Sequence, residues 1–217
     1  MHEVVWDCGS ILAMVSQRSI PTRTDEAAQR VAWKWNWLRQ SLVESARSFA
    51  GMAVRSADAS AARSWSDLEA RFLQVAGELA ATLRAAGLPQ VHIHRPLQWY
   101  FCRHLEAAEL AEPQTLIALS RVVLRRLVEW TTDENQSGDF RDQLEAEVDK
   151  CRALADELSA RLEAGSSDEE VNARLARLRE VDRCVCHDLR PFEDALWQLP
   201  GLGRSRDVAV DADELVA

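Results

Sequence analysis

Residues 140–189 read FRDQLEAEVDKCRALADELSARLEAGSSDEEVNARLARLREVDRCVCHDL, and the spacing within them decides the fold class. Phe140, Leu144, Val148, Cys151, Ala155, Leu158 and Leu162 recur every three or four residues, the period that places side chains on one face of an α-helix. Gly165 interrupts the series. Glycine just past the last periodic residue is a helix stop, because it adopts a left-handed conformation at low cost. Ser167 follows at an N-cap position with Glu170 three residues on, the capping-box spacing in which each side chain satisfies a backbone N–H at the other. Beyond it Val171, Leu175, Leu178, Asp182, Val185 and Leu189 form a heptad seam. Two such helices joined by a short turn predict a long antiparallel αα-hairpin turning at residues 165–168. Asp182 is the flaw in the seam: buried, it needs an arginine partner; at the seam's edge, it needs only water. Pro191 is expected to end or kink the second helix, although Phe192, Leu196 and Leu199 keep its phase.

Upstream, glycines and prolines fall between further helical stretches. Thr22 or Thr24 opens a helix in which Val31, Trp35, Leu38, Leu42, Ala46, Phe49 and Ala53 make one apolar stripe. Trp33 and Trp37 lie on roughly the opposite face, so this helix is central in its domain or half of an interface. Ser64 with Asp67 reopens a helix striped by Leu68, Phe72, Val75, Leu79 and Leu83, and Gly87 and Pro89 close it. Residues 90–95 are the only strand-like piece. Pro96 suits the first turn of a helix reaching about Ala111, and Pro113 starts another reaching about Thr131. That last helix is the most apolar and is expected at the centre of the fold. A short helix over residues 4–17, weakened by Gly9, a polar loop at 132–138 and an irregular acidic tail from Pro200 complete the chain. The expectation is all-α with about six helices in all: a helical bundle region in residues 1–131, a long antiparallel hairpin in 132–199 packed on it or projecting from it, and an irregular acidic tail in 200–217.

Composition bounds the function. Hydrophobic residues make up 47% and charged residues 28%, enough apolar content for a packed core. No apolar run approaches the ~18 residues of a membrane span. Glu3 and Asp7, with no basic segment, do not read as a signal peptide, so a cytoplasmic location is expected. Five cysteines, an odd number in a chain of this size, argue against a disulfide framework. The net charge of −9 excludes nucleic-acid binding through a generally basic surface and leaves only a local arginine patch for it. Lys34 and Lys150 are the only lysines; the arginine bias points to a GC-rich, bacterial genome.

Three chemistries can be weighed on the residues. Cys102, His104, Cys184 and His187 are thiolate and imidazole ligands of the kind zinc takes, with His92 and His94 nearby in sequence. Cys184 and Cys186 are two apart, which on a helix turns them about 200° from each other, so they cannot readily share a metal. Satisfied histidines and buried thiols are the expected alternative, with no metal and no cofactor. The string His187-Asp188-Leu189-Arg190-Pro191-Phe192 resembles the phosphoacceptor box of sensor histidine kinases, which would make His187 the phosphorylated residue. Its proline comes one residue earlier than in that family, and the chain contains no ATP-binding domain. Di-iron chemistry would need Glu-x-x-His pairs, which do not occur.

Eight tryptophans remain, and Trp33 with Trp37 are the pair that one apolar face cannot bury together with Trp35. The expected function is therefore a non-enzymatic helical adaptor in a bacterial multi-protein complex, with Trp33 and Trp37 as the partner-binding residues. Another helix of this chain is the open alternative for what covers them, and homo-oligomerisation is left open for the chain as a whole. The competing readings are a Cys/His metal-binding or sensor protein and a small subunit of a nucleoprotein complex.

Overall fold

The computed structural model describes residues 23–88, 91, 93–132 and 141–198. The expected helix at 4–17, the loop at 132–138 and the tail at 200–217 lie wholly or almost wholly outside them. The described residues form seven helices and no strand: α1 (Arg23–Arg55), α2 (Ala59–Ala85), α3 (Leu97–Cys102), α4 (Ala107–Ala111), α5 (Pro113–Thr131), α6 (Arg141–Ala164) and α7 (Asp168–Gln198).

Four of these make a ring. α1 packs on α2 and α5, and α6 packs on α5 and α2. Neighbours in the ring run antiparallel. On α1 and α5, Lys34 Nζ donates to the Trp130 carbonyl at 3.2 Å, while Ser41 and Ser45 sit level with Ser120 and Leu124. On α2 and α6, Thr82 donates to Glu147 at 2.9 Å, Arg71 pairs with Glu157 at 2.6 Å, and Ser64 accepts from Arg161 at 2.7 Å. On α5 and α6, Arg121 donates to Ser159 at 2.6 Å. α2 and α5 therefore occupy opposite corners, and the segment carrying α3 and α4 crosses between them.

The ring explains the two-faced helix. Ala32, Trp35, Trp37, Leu38, Leu42, Ala46 and Phe49 of α1 are all buried, because α2 covers one face and α5 the other. α5 is indeed the most enclosed element, with eleven buried residues in a helix of nineteen. One apolar cluster runs continuously through α1, α2, α3, α5, α6 and α7.

Caps set the boundaries and move two of those expected. α2 starts earlier than Ser64, because Asp58 accepts from the Ala61 N–H at 2.7 Å and supplies the N-cap. The expected helix from Pro96 to Ala111 is two helices. Glu106 and Glu109 form a reciprocal capping box that starts α4 and breaks the chain after α3. The strand-like alternation around Val91 and Ile93 yields no strand among the described residues; Ile93 is buried against the bundle instead. Gly87 ends α2 with φ of 70°, the left-handed value that carries a penalty for any side chain. Gly87→Ala is expected to lower the unfolding free energy by about 1 kcal/mol, read as a shift in the denaturant midpoint.

The turn between α6 and α7 falls where the glycine and capping box put it. Glu170 accepts from the Ser167 N–H at 2.9 Å, and the Glu170 N–H donates to Ser167 Oγ at 3.4 Å. Past the turn the two helices touch each other little, and α7 packs mainly on α5 and α3. α7 runs on through Pro191 to Gln198, so the proline does not terminate it. Its buried stripe is Leu178, Val181, Val185 and Leu189. Val181 takes the core position that the heptad assigned to Asp182; Asp182 lies at the edge, paired with Arg126 of α5.

Candidate functional site

The tryptophan pair comes first, because the sequence singles it out. Trp37 is only 3% exposed, and Trp33 is half-buried. Their ring centroids are 4.6 Å apart, and Trp130 of α5 stands edge-on to both, at 5.1 Å from Trp37 and 5.9 Å from Trp33. Lys34 lies 5.0 Å from the Trp130 ring. The second face of α1 is thus closed by this chain's own helix. Trp37 is enclosed by this chain's own rings, and Trp33 beside it is partly exposed. Trp130 was the missing piece, and nothing in the spacing of α5 marked it as the cover.

From Trp37 the aromatic layer continues through Tyr100 at 6.4 Å to Trp99, itself 5.0 Å from Tyr100. Arg95 and Arg103 both rest on the Trp99 ring, at 4.2 and 5.0 Å. Burial raises the Tyr100 phenol above its ordinary pKa, against the pull of the same two arginines. Arg95, Trp99 and Arg103 are spaced four apart, so the guanidiniums cover apolar surface that would otherwise face water.

Among the described residues Cys102, His104, Cys184 and His187 do not converge on one point, and His92 lies outside the described residues. His104 Nε2 lies 3.0 Å from Asp188 of α7, and Arg103 adds a weaker contact at 3.9 Å to the same carboxylate. Arg177 donates to the His104 carbonyl and pairs with Glu109 at 3.0 Å. Together these contacts clasp the α3–α4 corner to one flank of α7. Cys102 is half-buried, and burial raises its thiol pKa. Cys184, Cys186 and His187 are exposed on α7, and the helix turns Cys184 and Cys186 to opposite flanks. Among the described residues no group of three or more His, Cys, Asp or Glu side chains is placed to hold a metal ion.

The thiols differ sharply in accessibility. Burial pushes Cys151 up to about 12, leaving almost no thiolate near neutral pH. Among the described thiols, alkylation of the native protein followed by mass spectrometry is expected to modify Cys184 and Cys186 first and to reach Cys151 only on unfolding.

The other flank of α7 carries what the sequence showed only as an abundance of arginine. Arg126 of α5 bonds Asp182 and also donates to Cys186 Sγ at 3.3 Å. Next to this anchor lie Arg121 and Arg125 on α5 and Arg179 and Arg183 on α7. Arg125, Arg179 and Arg183 are exposed, and none of the four makes an ion pair among the described residues. Burial, then repulsion from Arg125 and Arg179, lowers the Arg121 pKa, opposed by Glu163 and Asp156 of α6. Arg125 and Arg179 are thus held close to Arg121, with Arg183 one turn beyond Arg179 on α7, on a chain of net charge −9.

No helix among the described residues is long and apolar enough to cross a membrane. No protein-family model, curated protein or solved structure matches this chain, so function rests on the geometry above.

Proposed function

We propose that the protein is a non-enzymatic helical adaptor that binds another protein along α7. The observation that carries this reading is the way α7 is attached. It is 31 residues long, about 46 Å at helical rise. Within its described side chains only Leu178, Val181, Val185 and Leu189 are buried. The helix parts from α6 after the turn and rests on α5 and α3 along that one stripe. Its remaining faces are a stiff, solvent-facing platform, the form in which helical modules present contact residues to partners.

Affinity capture from the native cell, followed by size-exclusion chromatography, tests this. A partner of fixed stoichiometry is expected, lost on Ala176→Trp/His187→Trp. Both positions are exposed on the outer face of α7, and both changes add bulk there without touching the core. A chain that runs alone, or a partner unaffected by that bulk, would sink the reading.

A further inference from the structure

We infer that the arginines of α5 and α7 form a docking site for an extended acidic segment of a partner protein, with carboxylates at alternate positions; this rests on the adaptor reading. Spacing supplies the first argument. Arg121 and Arg125 are one helical turn apart on α5, about 6 Å along the axis, and Arg179 and Arg183 repeat that step on α7. α5 and α7 run side by side in the same sense, since Glu112 lies near Arg174 and Arg126 bonds Asp182 fourteen and eight residues further on. Across the two rows Arg121 lies close enough to Arg179, as to Arg125, to feel the repulsion of its charge, which ties the rows to one side of the bundle. In an extended chain, alternate side chains point the same way about 6.6 Å apart, which matches the arginine step.

Charge supplies the second argument. Arginine meets a carboxylate through two parallel N–H donors, and these guanidiniums lack such a partner among the described residues. The Arg126–Asp182 pair beside them shows the same surface already holding one carboxylate. The patch is also short. Asp156 and Glu163 border it from α6, and Glu129 stands one turn beyond Arg125 on α5. A segment with two or three carboxylates fits between these borders. A nucleic acid presents a continuous row of phosphates that would run into them, on a chain already at −9. The patch is far from neutral yet confined, which favours a short acidic segment over a polyanion.

Cys186 provides a built-in reporter, because it sits on the arginine flank, bonded to Arg126, while Cys184 is exposed on the opposite flank. The probe is a fluorescein-labelled alternating Glu–Ser peptide, followed by anisotropy and by mass-spectrometric alkylation of the two thiols. Binding is expected to slow alkylation of Cys186 and not of Cys184, and to weaken with added salt. Arg125→Gln/Arg179→Gln/Arg183→Gln is expected to weaken affinity about tenfold or more, as the sum of several exposed charge contacts. That variant keeps Arg121 and its Ser159 bond, and its helicity confirms that it folds. The remote pair Arg47→Gln/Arg63→Gln should bind like the unaltered chain. Absence of binding, equal binding by the triple variant, or preferential binding of a single-stranded oligothymidylate that protects Cys186 would overturn the inference. A cellular partner lost on Ala176→Trp/His187→Trp but kept by the triple arginine variant would leave the adaptor reading standing and overturn this one.

Discussion

Replacing Trp37 with alanine is expected to lower the unfolding free energy by about 3–5 kcal/mol, the range for truncating a large buried aromatic. The indole is 3% exposed and meets Trp33, Trp130 and Tyr100 at 4.6, 5.1 and 6.4 Å. Truncation would remove its own buried area and leave three rings around a cavity that the stiff helices α1 and α5 cannot close. Edge-to-face contacts of about 0.5–1.5 kcal/mol each would be lost as well. Trp33→Ala should cost clearly less, because that side chain is half-buried and already partly faces water. Chemical denaturation of the two variants measures both. Equal, negligible losses would mean that neither indole is packed in the fold.

The register of α7 gives the second large effect. Val181 is 1% exposed, while Asp182 next to it is about one-third exposed and paired with Arg126. Val181→Asp is expected to destabilise by about 3–5 kcal/mol, the cost of an uncompensated buried charge. The new carboxyl would have a folded-state pKa raised by burial, so the folded chain would hold its proton to higher pH than the unfolded one. The loss should therefore be smaller at acid pH and grow as the pH rises through the raised value. Asp182→Val, which removes a half-exposed pair and fills no core position, should stay within about 1 kcal/mol. The heptad register read from the sequence would give the reverse order, with Asp182→Val stabilising, so denaturation of the two variants separates them.

Helix class and most ends were legible because local rules govern them. The period of α1, α2, α5, α6 and α7 lies in single stretches of chain, and Gly87, Pro113, Gly165, Ser167 and Glu170 act on neighbours within a few residues. Asp58 was missed as a cap because Ser64 and Asp67 offered a similar local signal later in the chain. Glu106 and Glu109 were missed because glutamate is an uncommon N-cap. The errors on tertiary questions have another origin. Whether Val181 or Asp182 faces the core depends on the rotation of α7 against α5. That rotation is set by Arg126 and the α3 corner, neither adjacent in sequence. What covers Trp33 and Trp37 depends on Trp130, almost a hundred residues away. The arginine site was invisible for the same reason, since two ordinary i, i+4 pairs on separate helices become one surface only when α5 and α7 lie side by side.

Hydrogen exchange of the chain alone and in complex with the partner captured from its native cell bears most directly on the claim that α7 and its arginine flank form the binding surface. Slower exchange is expected in α5 around Arg121–Arg126 and in α7 around Arg179–Cys186, with α2 and the α1–α2 turn unchanged. Protection confined to α1 and α2, with α7 exchanging as in the free chain, would contradict it.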